Sequence, residues 1–109
     1  MLEAINDWRE GQSQVAVQLE TVAQELEVRT EDLLQRSMLA FFAHEIRLAE
    51  WDIADLKERY RVVSPAELEE KIESRQIYSH PAWEDLIEWE TLEAYVSRLR
   101  TLQGKVEWK

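Results

Sequence analysis

The stretch TEDLLQRSMLAFFAHEIRLAEWDIADLKERYR, residues 30–61, contains no glycine and no proline. Its β-branched residues are few and scattered, so nothing in it opposes a helix. Thr30 stands where an N-cap belongs, and Glu31 and Asp32 put negative charge in the first turn, where the helix dipole favours it. Leu39, Phe42, Ile46, Ala49, Ile53, Leu56, Tyr60 and Val63 then recur at alternating steps of three and four. That is the spacing of helices packed side by side. A helix of about thirty residues is roughly 45 Å long, whereas a compact chain of this size has a radius of gyration of only about 13 Å. The helix therefore needs a partner helix along its length, from this chain or from another.

The flanking sequence supplies candidates. Residues 2–9 form a short helix with Leu2, Ile5 and Trp8 on one side, and Gly11 is its natural stop. Ser13 caps a second helix to Glu27, with Val15, Leu19, Val22 and Leu26 as its inward stripe. Residues 14–19 also alternate as a short strand would, but the helical period continues to Leu26 and the alternation does not. Val28 and Arg29 make the corner into the long helix, residues 30–62. Ser64-Pro65-Ala66-Glu67 then reads as a capping box with proline at the first helical position, opening a charged surface helix over 64–75. Pro81 begins the last helix, 81–103, with Ser79 or His80 as cap and Gly104 as stop. Leu86, Trp89, Leu92, Val96, Leu99 and Leu102 face inward, with a shift of the stripe near Glu93. The expected fold is one all-α domain, in which the long helix and the last helix form an antiparallel hairpin. Short helices flank it, and the two N-terminal ones lie against the first part of the long helix.

Composition narrows the function. The 109 residues include no cysteine, which removes disulfides and thiolate metal sites and fits a reducing cytoplasm. No run of about 18 apolar residues could cross a bilayer, and the N-terminus MLEAINDWRE lacks the pattern of a signal peptide. The net charge is −10, with the excess at both ends and the long helix nearly balanced. Lys and Arg nowhere form a stripe, so binding to DNA or RNA is not expected. A basic protein is the partner such a surface suits.

Catalytic and metal-binding patterns are missing. His44-Glu45 starts like a zinc-protease helix, but Leu48 occupies the place of the second histidine. Glu-x-x-His pairs are also lacking, since Phe41 and Ile77 stand where the glutamate would be. Asp52 with Asp55, and Glu84 with Glu88, read as solvated faces, and His80 as a turn residue. No enzyme activity and no cofactor are expected. Five tryptophans are a better clue, because tryptophan anchors interfaces. Trp51 lies off the seam and is the foremost candidate, followed by Trp83 and Trp89; Ile46, Ile53 and Tyr60 on the seam are candidates for contact with a second long helix. The seam from Leu39 to Val63 also outruns the last helix, which predicts a homodimer.

Two stretches carry a resemblance. LETVAQELEVRTEDLLQRSMLAFF (19–42) resembles the helix–turn–helix stretch of small antitoxins from prokaryotic toxin–antitoxin pairs, ribbon–helix–helix types included. LKERYRVVSPAELEEKIESRQIYSHPAWEDLIEW (56–89) is similar to the C-terminal part of small acidic helical proteins encoded beside toxin genes. The resemblance implies neutralisation of a basic toxin by direct contact. Ribbon–helix–helix antitoxins read DNA with a basic strand pair at the N-terminus. Here that region is acidic and helical, which departs from the pattern. The alternative is a self-associating helical protein with no separate ligand.

Overall fold

The computed structural model describes residues 2–107, with residues 2–10 and 12 as backbone only. The described residues are helical with short connections and include no strand: α1 (Leu2–Leu26), α2 (Thr30–Tyr60), α3 (Pro65–Glu73) and α4 (Ser79–Glu107). The chain forms two compact units, residues 1–40 and 41–109.

In the first unit, α1 is one continuous helix that passes through Gly11. The expected stop there, and with it the pair of short helices, is not found. A helical glycine costs only about 1 kcal/mol relative to alanine, which a long helix absorbs. Residues 14–19 are helical, not a strand. The true stop is Glu27, in the left-handed region at φ 57°. There Val28 N–H bonds the Ala23 carbonyl at 3.0 Å and Glu27 N–H bonds the Gln24 carbonyl at 3.1 Å, a Schellman closure. Ala23 is 1% exposed and Val28 half-buried. The Arg29 carbonyl accepts the first bond of α2 from Leu33 N–H at 3.0 Å, so Arg29 holds the cap position and Thr30 lies one residue inside. The Arg29 guanidinium also pairs with Asp32 at 3.3 Å and Glu31 at 3.8 Å. The stripe expected to face inward does not: Val15, Val22 and Leu26 are exposed, and Leu19 is half-buried. Among the described side chains of α1, Ala23 is the one that is buried. The face expected from Leu2, Ile5 and Trp8, and the position of Trp108, lie outside the described residues.

In the second unit, Ile46, Ala49, Ile53 and Leu56 of α2 share a core with Val62, Leu68 of α3, and Leu86, Trp89, Val96 and Leu99 of α4. Phe42, Tyr60, Leu92 and Tyr95 border it. The seam therefore holds to Tyr60 but not at Val63, which is 77% exposed while Val62 is buried. The cause is again a left-handed residue, Arg61 at φ 53°. It turns the chain so that Val62 N–H bonds the Lys57 carbonyl at 3.1 Å and Val62 joins the core that holds Leu56.

At the α3 N-terminus, Ser64 Oγ accepts from Glu67 N–H at 3.2 Å. The Glu67 carboxylate reaches back to Val63 N–H at 2.9 Å, one residue earlier than the capping box predicts. Leu68 is fully buried, so α3 is more than a surface helix. Lys71 places its ammonium 3.4 Å from the carbonyls of Tyr60 and Arg61, where the α2 dipole is negative. The helix ends at Glu73, with Arg75 left-handed at φ 62°.

His80 is extended (φ −118°, ψ 125°), so regular α4 geometry starts at Pro81, as the sequence suggests. The helix continues through Gly104 to Glu107, three residues past the expected stop. Its buried stripe gains Ala82 and loses Leu102, which is exposed. Near Glu93 the stripe runs through the half-buried Leu92, and the exposed Glu93 accepts the Trp89 indole N–H at 3.1 Å. That bond satisfies the only polar atom of a side chain that is 0% exposed. None of the described helices is long and apolar enough to cross a membrane.

Candidate functional site

The three tryptophans singled out in the sequence part company in the structure. Trp89 is core. Trp83 is exposed, one turn before the exposed Ile87 on the same face of α4. Trp51 is 63% exposed, because it lies about 160° around α2 from its buried seam neighbours Ala49 and Ile53. Ile46 and Ile53, expected to meet a second long helix, are buried in the unit's own core together with Leu86 and Val96. Tyr60 is half-buried at its edge. The seam argument for a homodimer therefore loses its ground, since α4, α3 and Val62 already cover these residues.

Trp51 borders a shallow groove of about 430 Å³ with Ala43, Arg47, Glu50, Arg100 and Gln103, and Ile46 at its floor. An Arg100–Glu50 ion pair of 3.1 Å crosses the groove. Arg47 lies one turn before Trp51 on the same helix. The arrangement offers a flat indole beside charged, flexible side chains, which suits a protein surface more than a small molecule. A larger depression of about 600 Å³ lies between α3 and α4, bordered by Ile72, Arg75, Ile77 and the exposed Tyr78.

Polar groups between α2 and α4 hold the scaffold under this surface. The Asp85 carboxylate accepts from the Tyr60 hydroxyl and from Arg59 at 2.9 Å, and Arg59 also reaches Asp55 at 2.8 Å. Burial, then the hydrogen bond to Asp85, pushes the Tyr60 phenol up to about 12. Tyr95 donates to Glu45 at 2.7 Å, and that bond raises its phenol too. These groups bond to one another in pairs that tie α2 to α4. His80 pairs with Glu84 at 3.4 Å in the open. His44 is exposed. Among the described residues no three His, Asp or Glu side chains gather as a metal site would need.

Sequence reasoning overlooked a second apolar row. Leu34, Met38, Phe41 and Leu48 are exposed along α2. Their steps of four, three and seven are legible in the sequence, one position from the stronger seam.

No curated protein and no solved structure matches the chain. A family model matches residues 15–107, from the middle of α1 to the end of α4. The chain belongs to the family described as Uncharacterized protein MJ0235 family.

Proposed function

We propose that this chain is a non-enzymatic helical module that binds a basic protein by direct contact, with Trp51 as the anchor. The observation that carries the reading is the outward Trp51, 63% exposed beside a groove on a chain of net charge −10. A large exposed indole is an unusual feature for a soluble surface and a common one at interface centres. The acidic excess steers a basic partner and repels nucleic acid. A small basic toxin is one protein of that description, in keeping with the antitoxin resemblance. Beneath the surface, α2 and α4 act as an antiparallel hairpin. Supporting this, Arg59 near the end of α2 meets Asp85 near the start of α4, while Glu50 meets Arg100 further along.

Affinity purification of the tagged chain from its native host, followed by mass spectrometry, tests the reading. Basic proteins should be recovered with the wild type and lost with Trp51→Ala, while Glu84→Lys, away from the groove, should have a smaller effect. Recovery of nucleic acid, or of acidic proteins alone, contradicts it.

The exposed apolar stripe on α1 favours a second reading, self-association, which can coexist with the first.

A further inference from the structure

The outer face of α4 is exposed along its length and carries Trp83, Ile87, Glu90, Ala94, Arg98 and Lys105. At 3.6 residues per turn these six lie within about 40° of one line along the helix. The face mixes apolar and charged groups in a particular order. Glu90 stands four residues before Ala94 and Arg98 four residues after it. Among the described residues, no side-chain hydrogen bond or ion pair takes up Glu90, Arg98 or Lys105.

We infer that this face pairs with the same face of a second copy of this chain, antiparallel, about a twofold axis at Ala94. Glu90 of one copy then meets Arg98 of the other, Trp83 meets Lys105 and Ile87 meets Thr101. Each of these contacts occurs twice, as a twofold interface requires. Trp83 offers its ring to an ammonium, and the carboxylate of Glu90 gains the guanidinium it lacks in the single chain. At the axis, Thr91 and Ala94 line a shallow depression of about 530 Å³ on this face. Side chains this small let two helices approach closely.

Charge, and not the spacing of apolar residues, selects both the occupant and its register. A parallel pair would set Glu90 against Glu90 and Arg98 against Arg98. An antiparallel pair slid by one heptad would bring two copies of Glu90, or two of Arg98, together at the axis. Only the register centred on Ala94 opposes unlike charges throughout. A partner of single sign fares worse, because Arg98 and Lys105 repel a basic surface and Glu90 repels an acidic one. The face is also separate from Trp51, so the pairing goes beyond the basic-partner reading and does not rest on it.

Sedimentation equilibrium of the full chain over about 1–100 μM tests the inference. The wild type should be a dimer in the upper part of that range. Glu90→Arg should weaken association about tenfold, and so should Arg98→Glu, because each sets like charges opposite one another twice per dimer. The chain carrying both substitutions should return to within about threefold of the wild type, since the pairs are then restored with their signs exchanged. All three positions of the test, Glu90, Arg98 and the axis residue Ala94, are exposed, so helical circular dichroism should stay unchanged. Ala94→Glu, which puts two carboxylates at the axis, should leave a monomer throughout the range. A wild-type monomer up to the highest concentration overturns the inference. So does a dimer indifferent to the single substitutions, or a double variant as weak as either single one.

Discussion

Tyr60 at the end of α2 donates its phenolic proton to Asp85 near the start of α4, and Arg59 reaches the same carboxylate at 2.9 Å. One carboxylate thus ties two helices together and neutralises the guanidinium beside it. The phenol, pushed up to about 12, is protonated in the folded chain where a free tyrosine, near 10, begins to ionise. A folded value above the unfolded one contributes stability that is complete below about pH 10 and is lost as pH rises through about 12. Thermal melting should therefore fall steeply between those values. Tyr60→Phe should flatten the fall, leaving the shallower part owed to Tyr95. An unchanged profile would show that the Asp85 bond does not persist in solution.

Ile53 is 6% exposed at the centre of the core. Ile53→Asp buries an unpaired carboxylate, at several kcal/mol. Loss of the cooperative melt is expected, and a variant that melts within a few degrees of wild type contradicts the packing.

The α3 cap should behave as two unequal parts. Ser64→Ala removes the acceptor of Glu67 N–H and should cost about 1 kcal/mol by denaturant titration. Glu67→Ala frees the Val63 N–H at an exposed position, where water replaces the carboxylate, so its cost should be smaller. Binding should be unaffected by either.

Three helices end on left-handed residues that are not glycine, namely Glu27, Arg61 and Arg75, whereas both glycines sit inside helices with open space where a Cβ would go. Arg61→Gly and Arg75→Gly should each stabilise the chain by about 0.5–1 kcal/mol, because glycine adopts that conformation without strain. Gly11→Ala and Gly104→Ala should do the same by raising helix propensity. A destabilised Gly104→Ala would indicate a close neighbour at that position.

This inversion explains what was legible in the sequence. α2 could be read to its first residue and to within two of its last, because its start charges and its seam from Leu39 to Tyr60 point the same way. Ser64-Pro65-Ala66-Glu67 was equally clear, since capping chemistry is local. Glycine does not mark a helix end in this chain, since α1 runs through Gly11 and α4 through Gly104. The working stops are Schellman closures on Glu27, Arg61 and Arg75, residues with no sequence mark of a left-handed turn. The same miss exchanged Val63 for Val62, because the turn at Arg61 resets which side chain faces the core. Trp51 was readable as outward from its place off the seam. The burial of Trp89 follows its place in the stripe, and Glu93, four residues on, brings a carboxylate within reach of the indole nitrogen. The bareness of α1 could not be read from its own period, since an apolar stripe looks the same whether this chain or another covers it.

The most direct test of the central claim is the association rate of the purified chain with the basic protein it recovers, measured by stopped flow across ionic strength. Attraction between opposite charges is screened beyond about 8 Å at 0.15 M salt and about 3 Å at 1 M. The rate should therefore fall at least tenfold from low to high salt. Trp51→Ala should leave that salt slope in place and raise the dissociation rate instead, because an anchor buried at the centre of an interface acts on residence time. A rate indifferent to salt, together with a Trp51→Ala variant that dissociates as slowly as the wild type, would contradict the account.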